Sequence, residues 1–136
     1  MQKLTTFLMF VGDQCGKAEE AMNLYVSLFE NSRILDIERY GADEEEREGT
    51  VKQAKFSLAV QAFIAMDSGA QHAFTFTPAI SIVVNYDRER ELDEMYTSLS
   101  DEGMVLMPLQ AYPFSSKFAW IQDRYGVSWQ LNLRPS

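Results

Sequence analysis

The most constraining feature of this sequence is an order of predicted elements that occurs twice. The first half predicts a strand, a helix and three strands, and the second half predicts the same order again. The two predicted helices also end in similar sequence segments, Ser27–Asn31 (SLFEN) and Ser98–Glu102 (SLSDE). A repeat at a fixed spacing indicates a duplicated supersecondary unit. The chain therefore predicts two βαβββ modules, the first at about 1–70 and the second at about 71–136.

Alternation of apolar and polar residues predicts the final hairpin. In 127–133 the valine, tryptophan and two leucines alternate with Ser128, Gln130 and Asn132, as in a strand with one buried face. A strand at 118–122 precedes it, and Gly126 can take a positive φ in the turn between them. Gln130 would then face whatever the sheet encloses, while Trp129 would lie in the core.

The remaining strands are predicted from shorter apolar or alternating segments, and two of them carry specific expectations. The continuous apolar run in 5–11 predicts a strand that is covered on both faces. In 33–40, Leu35 and Ile37 share one face, and Ile34 breaks the alternation. The other predicted strands are 51–58, 63–67, 79–85 and 104–109.

Two helices are predicted from apolar side chains spaced three and four residues apart. The first covers 18–29, and Asp13 is its candidate N-cap. The second follows the candidate N-cap Asp87 and ends at Gly103, which suits a left-handed C-cap.

Composition excludes several classes of protein. At 136 residues, with 46% hydrophobic residues, the chain has the size and composition of a single folded domain over 1–136. A formal charge of −8 argues against nucleic-acid and anionic-membrane partners, which require clustered Lys and Arg. The single cysteine, Cys15, excludes an intramolecular disulfide, and the apolar run of 7–11 is too short for a signal peptide or membrane span. These features predict a soluble, cytoplasmic protein.

The acidic segment 41–49 (GADEEEREG) has two readings, a cation-binding loop or a solvated turn. It lacks the spaced oxygen ligands and central glycine of a calcium loop, which favours the solvated turn.

Six segments of the sequence together resemble the PhnB-like subfamily of the glyoxalase/bleomycin resistance/dioxygenase (vicinal oxygen chelate) superfamily. Members of this subfamily are often labelled demethylubiquinone methyltransferase-like. The resemblance covers nearly the whole chain. Gln14–Lys17 looks like an insertion, and Ser116 and Ala119 stand where Glu and Gly are expected, beside the presumed pocket. The segments that carry the resemblance are 7–10 (FLMF), 18–25 (AEEAMNLY), 66–69 (MDSG), 74–81 (FTFTPAIS), 107–109 (MPL) and 118–130 (FAWIQDRYGVSWQ).

The resemblance implies an α+β fold in which two βαβββ modules form a curved, mostly antiparallel, barrel-like sheet with helices on the outer face. It also implies a cleft and a homodimer. Metal-using members of the superfamily would place ligands near Thr6, Ala65 or Met66, Ala79 and Gln130, none of which is His, Asp or Glu. We therefore expect no metal and no cofactor. The pocket candidates are Thr6, Met66, Ala79, Ser81, Trp120 and Gln130.

Other reactive residue types have simpler explanations. His72 could be a general base, but its polar loop shows no partner, which favours a surface histidine. Cys15 could be a reactive thiolate near a helix N-terminus, or an inert small residue. Trp120 could stack on an aromatic ligand, and this remains open. Gln130 has the best case for a pocket role, because an enclosed amide needs hydrogen-bond partners.

Three functions of different classes remain open. The first is a metal-free module that binds a small organic molecule, and the second is a metal-independent enzyme that uses Gln130, Ser81 or His72. The third is a non-catalytic interaction domain. The methyltransferase label has no support in a cofactor motif, because the seven glycines are scattered singly and form no Gly-rich turn between a strand and a helix.

We predict that the purified protein carries no stoichiometric divalent metal and has no glyoxalase-type activity. Such activity requires a cation that is held by several imidazole or carboxylate donors, and the chain has one histidine. Elemental analysis after dialysis should find well under one metal per chain, and a chelator should leave the melting temperature unchanged. A full equivalent of zinc, nickel, iron or manganese bound around Gln130 would show that the strands were misaligned.

Overall fold

A computed structural model describes residues 2–136, which divide into two compact units, 2–75 and 76–136. Each unit contains a strand, an α-helix and three further strands in that order. The predicted α+β fold with two βαβββ modules is therefore confirmed. That the whole of 1–136 forms a single domain stays a prediction.

The first unit is a four-stranded mixed sheet with a helix on one face. The elements are β1 Thr6–Phe10, a 3-10 turn Gly12–Gln14, α1 Ala18–Leu28, β2 Arg33–Arg39, β3 Val51–Leu58 and β4 Gln61–Asp67. The strands follow the order β1-β4-β3-β2; β1 and β4 run parallel, and the other neighbours are antiparallel. The helix α1 buries Ala18, Ala21, Met22 and Tyr25 against this sheet.

The second unit repeats this plan. The elements are β5 Ile82–Tyr86, α2 Glu89–Ser100, β6 Met104–Tyr112, β7 Ser115–Gln122 and β8 Ser128–Leu133. The strand order is β5-β8-β7-β6, again with one parallel pair, β5 and β8. The helix α2 buries Leu92, Met95 and Leu99. No helix among residues 2–136 has the length and apolar character needed to cross a membrane.

Two equivalent backbone hydrogen bonds align the repeats. The Ser68 amide donates to the Phe10 carbonyl at 3.0 Å, and the Arg134 amide donates to the Tyr86 carbonyl at 2.8 Å. Phe10 therefore corresponds to Tyr86, and each outer parallel strand ends at the same point of its sheet. The strand pairing within 2–136 is mostly antiparallel, as predicted. It forms two open four-stranded sheets, however, and no closed barrel.

Both N-cap predictions were wrong. Asp13 lies in the 3-10 turn, the N-cap of α1 is Lys17, and the N-cap of α2 is Arg88. Neither cap residue makes a side-chain capping bond. The backbone amide of Ala18, at the start of α1, instead donates a hydrogen bond to the side chain of Asp67 at the end of β4.

Two strand expectations also change. The register shifts between Ile34 and Asp36, so Leu35 is displaced outward and is 44% exposed. This bulge explains the broken alternation in the sequence. The first strand is covered on one face only, because Leu8 and Phe10 are buried whereas Phe7, pointing the other way, is 48% exposed.

The glycine after α2, Gly103, is needed because it has no Cβ and not because it adopts a positive φ. Glu102 adopts the left-handed conformation, with φ 60°, in place of Gly103. A Cβ on Gly103 would stand 2.3 Å from the Gln122 carbonyl oxygen, so the close backbone approach requires glycine there. Gly126, by contrast, has the predicted positive φ, 94°.

Asp67 is a buried carboxylate that joins three segments of the first unit. It is 1% exposed and ends β4. Its Oδ1 accepts hydrogen bonds from the backbone amides of Gly16 at 2.7 Å and Ala18 at 3.1 Å, and its Oδ2 accepts one from Val51 at 2.9 Å. The start of α1 and the start of β3 are thus both fixed to the end of β4.

We predict that Asp67→Asn destabilises the protein by about 3 kcal/mol, because an amide nitrogen would replace one acceptor and leave a buried backbone N–H unpaired. Urea unfolding monitored by circular dichroism measures the change. Asp43→Asn, in the exposed acidic segment, is the control and should change stability by less than about 0.5 kcal/mol. Equal small effects of both substitutions would contradict the role given to Asp67.

Candidate functional site

The candidate site is a cleft on the face of the second sheet that points away from α2. Its volume is about 430 Å³. The register explains its composition, because Gln130 lies between Val83 on β5 and Trp120 on β7, and neighbouring side chains across a sheet share a face. The residues lining it are Val83, Asn85, Met107, Phe114, Phe118, Trp120, Gln130 and Asn132.

Aromatic rings form one wall of the cleft. Phe114, at the turn between β6 and β7, is 65% exposed and meets Phe118 edge to face, with ring centroids 4.9 Å apart. Tyr112 stacks on Phe114, with ring centroids 5.6 Å apart, and meets Phe118 edge to face at 5.9 Å. Such a wall offers ring faces and edges to an aromatic ligand.

Hydrogen bonds at the floor of the cleft fix Trp120. Its indole Nε1 donates to Ser128 Oγ at 2.9 Å, and Ser81 Oγ lies 2.6 Å from the same oxygen. Ser128 is 2% exposed. The indole is therefore held in one orientation, and the hydroxyl of Ser81 is already engaged.

The amide side chains of the cleft differ in how many of their hydrogen-bonding groups already have partners. Asn132 uses both ends, since its Nδ2 donates to Asn85 Oδ1 at 3.0 Å and its Oδ1 accepts from Ser115 Oγ at 2.6 Å. Within residues 2–136, the amide of Gln130 has no hydrogen-bond partner, and neither has Asn85 Nδ2. Gln130 thus offers an acceptor and donors to a ligand, and Asn85 offers donors.

Comparison with known proteins establishes the family. The family model described as 3-demethylubiquinone-9 3-methyltransferase matches residues 2–132. This chain belongs to that family. A PhnB protein from Bacillus cereus with the same family description is 53% identical, with a TM-score of 0.93, and the match covers 98% of this chain and 100% of that one. No functionally curated protein matches the chain.

More distant structures show the wider fold. Protein PA1353 from Pseudomonas aeruginosa is 22% identical with a TM-score of 0.82, and the match covers all of both chains. The fosfomycin resistance protein FosX from Listeria monocytogenes is 10% identical with a TM-score of 0.61, and the match covers 99% of this chain and 96% of that one. The resemblance seen in the sequence is confirmed: the chain is a PhnB-like protein with the vicinal oxygen chelate fold.

The six predicted pocket residues of this PhnB-like protein separate in the structure. Trp120 and Gln130 line the cleft together, and Ser81 lies behind them through Ser128. Ala79 is in an exposed turn before β5. The other two, Thr6 and Met66, are in the first unit on opposite faces of its sheet, because Thr6 pairs with the buried Phe63 and Met66 points the other way. A ligand-binding role stays a prediction for all six.

Sequence reasoning missed most of the aromatic wall and the second free amide. Asn132 could have been found, because it alternates on the same face as Gln130. Phe114 lies in a turn, where no periodic pattern operates, and Asn85 looked like the end of an apolar run. Ala119, expected beside the pocket, is fully buried and pairs with Leu131 on the helix-facing side.

The family fold implies a metal in some members, and the residues of this chain do not fit one. The expected positions hold Thr6, Met66 or Ala65, Ala79 and Gln130, and none supplies an imidazole or carboxylate. No group of three or more His, Cys, Asp or Glu side chains among residues 2–136 is arranged to hold a metal ion. A metal-free protein remains the prediction that elemental analysis tests.

The acidic segment serves the fold of the first unit. Glu44 pairs with Lys52 at 2.6 Å and accepts a hydrogen bond from the Gly41 amide at 2.9 Å, and these contacts lower the pKa of its carboxyl group. Glu46 accepts a hydrogen bond from the Gly69 amide. Glu44 therefore joins the two ends of the loop, and Glu46 joins the loop to the segment that follows β4.

His72 and Cys15 lie in the first unit. His72 has a partner that the sequence did not reveal, since its Nε2 is 2.9 Å from Ser68 Oγ, and its ring packs on Phe74. Burial, and next the negative charges of Asp67 and Glu46, raise the pKa of the Cys15 thiol. A raised pKa disfavours the thiolate and agrees with an inert cysteine.

Proposed function

We propose that this PhnB-like protein binds a small, partly apolar organic molecule in the cleft of its second sheet without the help of a metal. The observation that carries the proposal is the pairing of a ring wall, Phe114 and Phe118, with the unpartnered amide of Gln130. Binding sites for small molecules are concave and mostly apolar, with a few polar groups that orient the ligand. A volume of about 430 Å³ falls within the usual range for such sites.

Catalysis by proton transfer has less support. None of the eight cleft-lining residues titrates near neutral pH, and a general acid or base must lie within hydrogen-bond reach of the reacting atom. His72 is bonded to Ser68 in the other unit, and Ser81 is bonded to Ser128. Binding is therefore the function that the geometry supports best.

We predict that a thermal-shift screen of aromatic and amphipathic metabolites yields ligands whose affinity falls at least about ten-fold in Val83→Trp, because an indole there would fill the cleft. Val83 is 54% exposed on edge strand β5. The matched control is Val105→Trp, on the opposite edge strand β6. Val105 is 43% exposed, is not a cleft residue and pairs with Ile121 of the helix-facing side.

Isothermal titration of each hit against both variants measures the difference. Ligands should bind wild type and Val105→Trp alike. A uniformly null screen, or hits that bind Val83→Trp as tightly as wild type, would overturn the proposal.

We also propose that the protein is a homodimer. Each sheet has two edge strands, β1 and β2 in one and β5 and β6 in the other, and exposed edges favour pairing with another chain. Light scattering coupled to size exclusion should give twice the chain mass of 15.6 kDa. A monomer across micromolar concentrations would refute the dimer and leave the cleft proposal standing.

A further inference from the structure

We infer that the cleft selects a neutral aromatic molecule that carries a carboxamide or lactam edge, and that Gln130 and Asn85 read this edge. The inference rests on the proposed function and names the chemical class of the ligand. It follows from the charge of the cleft, the geometry of its free amides and a comparison of the two sheets.

Among residues 2–136, no ionised side chain lines the cleft. Its eight lining residues are apolar, aromatic or amides. The cation nearest in sequence, Lys117, precedes Phe118 on β7 and points to the other face, where it pairs with Glu89 at 2.9 Å and Asp93 at 2.7 Å. A carboxylate or phosphate on the ligand would lose water without gaining a counter-charge, which disfavours anions.

A glutamine amide without a hydrogen-bond partner can pair with a second amide group. It presents a carbonyl acceptor and an N–H donor side by side in one plane. A carboxamide or lactam presents the same pair in reverse order, so the two groups can form two parallel hydrogen bonds. Asn85 Nδ2, which has no partner within residues 2–136, adds a donor for a carbonyl oxygen.

The fold does not require these amides. By the alignment of Phe10 with Tyr86, the amides on β5 and β8 stand where β1 and β4 of the first sheet carry apolar residues. Asn85 corresponds to Met9, Gln130 to Ile64 and Asn132 to Met66. The same framework is therefore built with apolar side chains at these three places, although β3 of the first sheet carries Gln53 and Lys55 on the same open face.

The wall supports a flat ligand. Phe114 and Phe118 stand at one side of the cleft, and the indole of Trp120 is fixed by Ser128 next to Gln130. An aromatic ring lying against these side chains would bring a substituent on its edge to the amides. Aromatic rings also attract cations, so a cationic ligand is the competing class that the experiment must separate.

Three probes with one ring system test the inference: 2-naphthamide, 2-naphthoate and 2-naphthylmethylammonium. Isothermal titration should show that wild type binds the amide at least about ten-fold tighter than either charged probe. Gln130→Leu keeps a side chain of similar size and removes the amide, so it should weaken naphthamide binding about ten-fold. Its effect on the two charged probes should be smaller.

The control variant is Gln53→Leu, the same substitution at an exposed position of β3 in the first unit. It should bind all three probes as wild type does. The inference fails if a charged probe binds as tightly as the amide, or if Gln130→Leu leaves the preference for the amide unchanged. Both of those results leave the cleft proposal to the Val83→Trp test, whereas no binding of any probe would overturn this inference and count against the proposed function too.

Discussion

The face that the second sheet offers to a ligand depends on one buried carboxylate, that of Asp123 in the turn between β7 and β8. It is 4% exposed and accepts hydrogen bonds from the amides of Tyr125 at 2.9 Å and Val127 at 3.1 Å, and from the indole of Trp129 at 2.9 Å. The turn and the core side of β8 are thereby fixed together. Because strand side chains alternate, a slip of one residue would turn Gln130 into the core and Trp129 into the cleft. Asp67 has a comparable role in the first unit, where one carboxylate fixes the starts of α1 and β3.

The two βαβββ units share one backbone plan but carry different side chains on the open faces of their sheets. Both units place a parallel pair at one end of a four-stranded sheet and a helix on one face. The helix side is apolar in both, as the packing requires. The open sides differ, with Met9 and Ile64 in the first unit and Asn85 and Gln130 at the corresponding places in the second. Packing against the helix limits only one side of each sheet, so the other can vary with function.

The sequence was most informative where burial imposes a period. In β8 the alternation correctly placed Trp129 inward and Gln130 outward, because a strand with one buried face has a period of two. The sequence was not informative where a residue's hydrogen-bond partner is distant in the chain. Asp67 is 49 residues from Ala18, so no local pattern could show that its side chain replaces an N-cap. The sequence was also uninformative at Leu35, since a bulge has no signature beyond a broken alternation, and at Phe114, which lies in a turn.

The central claim, that the open face of the second sheet binds the ligand, is tested most directly by nitrogen-edited NMR of the two tryptophan indoles. Trp120 lines the cleft, and Trp129 is 1% exposed on the opposite face of the same sheet. On titration with an aromatic ligand from the screen, the indole resonance of Trp120 and the side-chain amide of Gln130 should shift and saturate together, while the Trp129 indole stays in place. Saturable shifts confined to the first unit, with the resonances of Trp120 and Gln130 unmoved, would contradict the account.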